Sequence, residues 1–179
     1  CLLSLTTSGA APDPAPPPAS EAEQAEAKAK RRLLSRHMGA ALDHMEAARR
    51  LLAPLASEDP PAKEAQGVLL AKAKARYTEA AAAYEAAIAL LPGVSGAAPE
   101  RLKLIEKIAY FNLACARARL GEADPALAAL GKALELGYGD IERIEQDPDL
   151  GDLRSHPRFV NLLERVQARL AKQAMEAAA

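Results

Sequence analysis

Alanine constrains this chain more than any other feature, because 43 of its 179 residues are alanine. Alanine is the strongest helix former, and its small side chain lets neighbouring helices approach closely. Aromatic residues make up only 3% of the chain, and tryptophan is absent. The composition therefore predicts an all-α protein of closely packed helices and excludes a sheet protein.

Proline and glycine divide the chain into four long helical segments and several short ones. Apolar spacing and stop signals predict the long helices at 21–56, 62–91, 99–120 and 123–136, with Ser20 as the first N-cap. Pro54 is expected to bend or end the first of them. Three short segments follow, and we expect each to be capped by the polar residue that precedes it: Asp140, Asp147, and Ser155 or His156.

Charge and cysteine content exclude several classes of protein. The formal net charge is -1, which argues against a nucleic-acid-binding protein with a strong electrostatic footprint. No apolar run approaches the ~20 residues that span a bilayer. Two cysteines are too few for a disulfide framework or a cysteine-rich zinc site.

The sequence begins with Cys1, which resembles the mature start of a bacterial lipoprotein. We expect lipid attachment at Cys1 and anchoring by two fatty chains, because one chain holds only marginally. The proline-rich stretch 10–20 is typical of an extended tether, so residues 1–20 are predicted to be disordered. Two alternatives stay open: residues 1–10 are the end of a secretory signal, or the chain is a truncated cytoplasmic protein.

A spacing of large and small residues recurs along the chain and resembles the tetratricopeptide repeat (TPR) family. In that family each repeat of 34 residues is a pair of helices, which pack on each other through small residues. The later stretch carries the spacing at Tyr110, Leu113, Ala114, Ala126, Leu130 and Ala133, with a turn at 120–122. The earlier stretch carries the spacing of a repeat's second helix at Ala80, Tyr84, Ala87 and Pro92. The expected first helix of that repeat is segment 21–56. Arg117 departs from the family pattern, which has tyrosine there.

Residues 136–163 are similar to the terminal segment of many bacterial TPR proteins, where such a segment caps the exposed end of the solenoid. We therefore predict a short TPR-like helical-hairpin solenoid with C-terminal capping helices. Its expected parts are the tether or signal remnant at 1–20, the hairpins at 21–136 and the cap at 137–179.

The resemblance implies a non-catalytic protein–protein interaction module, a scaffold or adaptor that binds a peptide or partner protein. The lipoprotein-like start leads us to expect the module in a Gram-negative cell envelope, at the outer membrane through lipidated Cys1; the alternative is a soluble periplasmic or secreted protein. The family's concave face corresponds here to one helical stripe: Ile108, Phe111, Asn112, Cys115 and Arg119. The alternative is that Ile108 and Phe111 are buried under the first hairpin or the cap.

No phosphate-binding loop or nucleophile elbow occurs in the sequence, so neither an enzyme nor a cofactor is predicted. The alternative function is an exported metal or small-ligand carrier that uses His37 and His44, seven residues apart on one helix face. Cys115 is interpreted as a small buried apolar residue, with a redox thiol as the alternative. Carboxylates between 135 and 152 are interpreted as helix caps and solvated faces.

Overall fold

A computed structural model describes residues 20–178 of the protein, and this part of the chain is helical and contains no strand. The predicted all-α class is confirmed. Lipid attachment at Cys1 and the tether before Ser20 lie outside the described residues. The α-helices are α1 (Glu21–Leu52), α2 (Lys63–Leu90), α3 (Pro99–Arg119), α4 (Ala123–Glu135), α5 (Ile141–Gln146) and α6 (Pro157–Ala177). Short 3-10 helices occupy Ala53–Ala56, Leu91–Gly93 and Pro148–Leu153.

The helix starts follow from local capping. Ser20 accepts a hydrogen bond from the Glu23 backbone N–H, and the Glu23 carboxylate accepts one from the Ser20 N–H at 2.7 Å. This capping box satisfies donors that a helix end would otherwise leave unpaired. The side chains of Asp140, Asp147 and His156 cap the later segments as predicted.

The first predicted segment, 21–56, ends its α-helix earlier than expected. α1 stops at Leu52, and Ala53–Ala56 continues as a 3-10 helix. Pro54 has no backbone N–H and therefore cannot donate to the carbonyl of Arg50, which breaks the α-helical ladder at this point.

Glycine ends α3 and α4 in the same way. Gly121 and Gly137 adopt φ values of +78° and +90°, which a residue with a side chain rarely adopts. After Gly137, the Tyr138 N–H reaches back to the Ala133 carbonyl at 2.9 Å, which is the Schellman arrangement. This turn directs Tyr138 back toward the helices.

The central helix of the fold is α2, which packs against both α1 and α3, while α3 packs against α4. Alanine lies at these contacts: Ala41 of α1, Ala80 and Ala87 of α2 and Ala109 of α3 have no exposed surface. Leucine and other large side chains fill the rest of the core, and the largest fully enclosed ones are Tyr77, Tyr84 and Phe111. Alanine contacts therefore let the helices lie close together, and larger residues fill the remaining space.

The C-terminal part covers two different helices. Pro148–Leu153 packs on α3, and α6 packs on α4. Phe159, Leu163 and Val166 form the buried stripe of α6, whereas Met175 near its end is 75% exposed. Among the helices described, none combines the length and the apolar character needed to cross a bilayer.

Ala80→Leu tests the close helix contacts. Three extra carbons at a site with no exposed surface should destabilise the protein by about 1–3 kcal/mol, because a packed interface cannot admit them without strain. Thermal unfolding followed by circular dichroism measures the change. Ala82→Leu is the control, since Ala82 is exposed on the same helix. Equal melting temperatures for the two variants would contradict the packing described here.

Candidate functional site

A groove of about 470 Å³ lies between α1 and α3, and it is the candidate site. Tyr84 of α2 lies at its base with no exposed surface. Leu42 of α1 and Leu104 of α3 line its sides and are 52% and 46% exposed. The packing of both outer helices on α2 thus leaves an open channel between them with apolar sides.

One end of the groove is closed by the chain that follows α4. The Tyr138 ring stacks on the Phe111 ring, with centroids 4.3 Å apart and planes 10° from parallel. The guanidinium of Arg143 lies 5.8 Å from the Phe111 ring centroid, within cation–π range. Tyr138 and Arg143 therefore cover Phe111, which is only 2% exposed.

The structure separates the five residues that the resemblance assigned to a concave face. Ile108, Phe111 and Asn112 line the groove together. Cys115 is 1% exposed and lies in the hydrophobic core, and Arg119 faces Asp149 instead of the groove. A role in partner binding stays a prediction for all five.

A charged cluster ties the C-terminal part to α1 and α3. The Asp149 side chain is 5% exposed and accepts hydrogen bonds from Nε and Nη2 of Arg49 at 3.0 and 2.5 Å. The Arg119 Nε lies 3.8 Å from the other Asp149 oxygen, and its guanidinium lies 5.7 Å from the Tyr77 ring centroid. Two arginines thus compensate one buried carboxylate. Burial lowers the pKa of Arg49, but the hydrogen bond and charge interaction with Asp149 outweigh that effect, so the pKa is raised.

Two buried phenol groups have hydroxyls without hydrogen-bond partners, those of Tyr77 and Tyr84. Burial raises the pKa of Tyr84 to about 12, and the nearby Asn112 side chain partly opposes that rise. Tyr84 therefore remains a neutral donor at physiological pH. Because its oxygen is fully buried, this hydroxyl belongs to the interior beneath the groove and is not exposed to a ligand in it.

The cysteine and histidine residues offer little chemistry in the described part of the chain. Burial raises the pKa of the Cys115 thiol well above its usual value, which keeps it protonated and unreactive. The Nδ1 atom of His44 lies 3.2 Å from the Glu79 carboxylate of α2. Between residues 20 and 178, no group of three or more His, Cys, Asp or Glu side chains could hold a metal ion.

Sequence reasoning missed the two charged contacts that join separate helices. It interpreted Asp149 as part of a solvated acidic stretch, whereas Asp149 is buried against Arg49, which lies 100 residues earlier. Arg117 stood out only as a departure from the repeat pattern, and it bonds to Glu85 of α2 and to Glu122. The sequence offered one signal that Asp149 is buried: it stands between Pro148 and Leu150 inside a short helix.

An all-helical domain with an open groove between two helices is the class that these observations define. No protein-family model matches the chain, and no solved structure matches it. Over 81 residues it is 37% identical to a curated chloroplastic protein of Arabidopsis thaliana. The alignment covers 45% of this chain and 24% of the relative, so the chain corresponds to about a quarter of that protein's length.

Arg49→Met tests the buried charge cluster. Removing the closest cation leaves Asp149 poorly compensated in the interior. We expect the free energy of unfolding to fall by about 1–2 kcal/mol; solvent screening keeps the loss this small, because Arg49 is itself half-exposed. Chemical denaturation gives the free energy of unfolding. Arg50→Met is the matched control, because the Arg50 pair with Glu46 is exposed on both sides. A loss no larger than that of the control would show that the cluster contributes nothing to stability.

Proposed function

We propose that this chain is a non-catalytic protein–protein interaction module that binds a peptide segment or partner protein in the α1–α3 groove. The observation that carries the proposal is the groove itself: its sides present the exposed apolar residues Leu42 and Leu104, and the polar residues Asn112 and Lys107 also line it. Apolar surface with a small number of polar groups is typical of a binding site, where few polar contacts orient a mainly apolar ligand.

We propose further that the helices form a short TPR-like solenoid. Consecutive helices pack in chain order, from α1 to α4, as they do in stacked hairpins. The small residues that the repeat spacing requires are buried: Ala80, Ala87, Ala114, Ala126 and Ala133. In such an arrangement α1 and α3 form the inner face, which is where the groove lies.

The proposed location remains the bacterial cell envelope, with a lipid on Cys1. Its support is the sequence of the first twenty residues alone, all but Ser20 outside the described part. The word "chloroplastic" in the relative's name applies to that protein. The mass of the N-terminal peptide, released from native membranes, tests the lipid: we expect a diacyl or triacyl cysteine, and an unmodified Cys1 would refute it.

Peptide selection tests the proposed function. A random library of about 18-residue peptides, long enough to span roughly 27 Å as a helix, is selected by display against the full chain. We expect enriched peptides whose binding falls about tenfold or more with Ile108→Glu, because that change puts a charge on the apolar side of the groove.

Lys103→Glu is the matched control for this test, since Lys103 lies on the same helix but does not line the groove. Circular dichroism checks that both variants remain folded. Failure to enrich any peptide, or equal binding to both variants, would refute the proposed function.

A further inference from the structure

A second cleft follows the groove along the same two helices. It has a volume of about 380 Å³ and lies nearer the N-terminal ends of α1 and α3, where the loop before α3 also lines it. Leu104 lines the first cleft and its neighbour Ile105 lines the second. Lining residues on α1 run from Arg31 to Arg49, a helical length of roughly 27 Å. The two clefts, taken together as the combined groove, therefore span the length of several helical turns.

The charge along this combined groove is positive, although the whole chain has a net charge of -1. Five cations line it: Arg31, Arg49, Arg101, Lys107 and Arg143. Only two carboxylates do so, those of Asp140 and Asp147. The positive excess is thus a local property of the groove and does not follow from the composition.

The cations differ in how far they are already compensated. Arg49 is paired with Asp149, and Arg31 donates to the Ser95 carbonyl. Within residues 20–178, neither Arg101 nor Lys107 forms an ion pair. Both cations belong to α3, six residues or roughly 9 Å apart along it, and each lines one of the two clefts, so they are available to anions on the α3 side of a bound ligand.

Both carboxylates already accept hydrogen bonds from backbone N–H groups. Asp140 accepts from the Arg143 N–H at 3.0 Å, and Asp147 accepts from the Asp149 N–H at 2.9 Å. Both carboxylates lie at the end of the groove that Tyr138 closes, whereas the described lining of the second cleft contains no acidic residue. The excess of cations over carboxylates among the lining residues is therefore larger in the second cleft than in the first.

We infer that the groove binds an acidic peptide segment of a partner protein, with apolar side chains facing Leu42 and Leu104 and carboxylates facing Arg101 and Lys107. Charge complementarity identifies this occupant, since opposite charges at a groove speed association and disfavour partners of the wrong sign. The inference rests on the proposed function and adds the chemistry of the partner.

The charge pattern of the selected peptides gives the first readout. Peptides enriched against the full chain are expected to carry more Asp and Glu than the starting library. Their affinity, measured by fluorescence anisotropy, is expected to fall as sodium chloride is raised, because salt screens exposed charges. Enrichment of neutral or basic peptides that bind in the groove would overturn this inference and leave the proposed function standing. No enrichment at all would refute both.

Charge reversal gives the second readout. The double variant Arg101→Glu/Lys107→Glu is expected to bind an enriched acidic peptide about tenfold or more weakly than the unmodified chain does. It is expected to bind the same peptide with Lys in place of Glu more tightly. Lys72→Glu/Lys103→Glu changes the net charge equally outside the groove and should leave both affinities close to those of the unmodified chain. An equal effect of the two double variants would overturn the inference.

Discussion

The close approach of α2 to both of its neighbours is the constraint on which the rest of the structure depends. Ala80 and Ala87 of α2 and Ala109 of α3 lie at these contacts with no exposed surface. Larger side chains at these positions would move the outer helices away from α2, because a packed interior does not absorb added volume. The separation of α1 and α3, and with it the width of the groove, is thus set by residues that no ligand touches.

Two aromatic residues then decide how deep the groove is. Tyr84 fills the space between α1 and α3 from below, and Phe111 is covered from above by Tyr138. The Tyr84 hydroxyl is buried there and forms no hydrogen bond of normal geometry, although the Asn112 side chain lies close enough to lower its pKa. A buried donor of this kind costs about 1–3 kcal/mol, a sizeable part of the roughly 5–15 kcal/mol that stabilises a typical domain.

Local sequence signals predicted the helices well. The N-cap at Ser20 and the glycine stops at Gly121 and Gly137 act within one turn of the chain, and the structure confirms them. Helical periodicity also brought Ile108, Phe111 and Asn112 into one groove. The same period extended to Arg119, but Pro148–Leu153 packs on α3 and Asp149 reaches that residue. Periodicity describes one helix and carries no information on which segment covers its last turns.

The pairing of Arg49 with Asp149 also couples two distant parts of the chain during assembly. The hairpin of α1 and α2 is synthesised first, and until Asp149 emerges Arg49 is hydrated without penalty. Asp149 becomes buried only where Arg49 and Arg119 stand beside each other, since burying an uncompensated carboxylate is costly. Docking of Pro148–Leu153 therefore depends on the packing of α1 and α3, and in return it stabilises that packing.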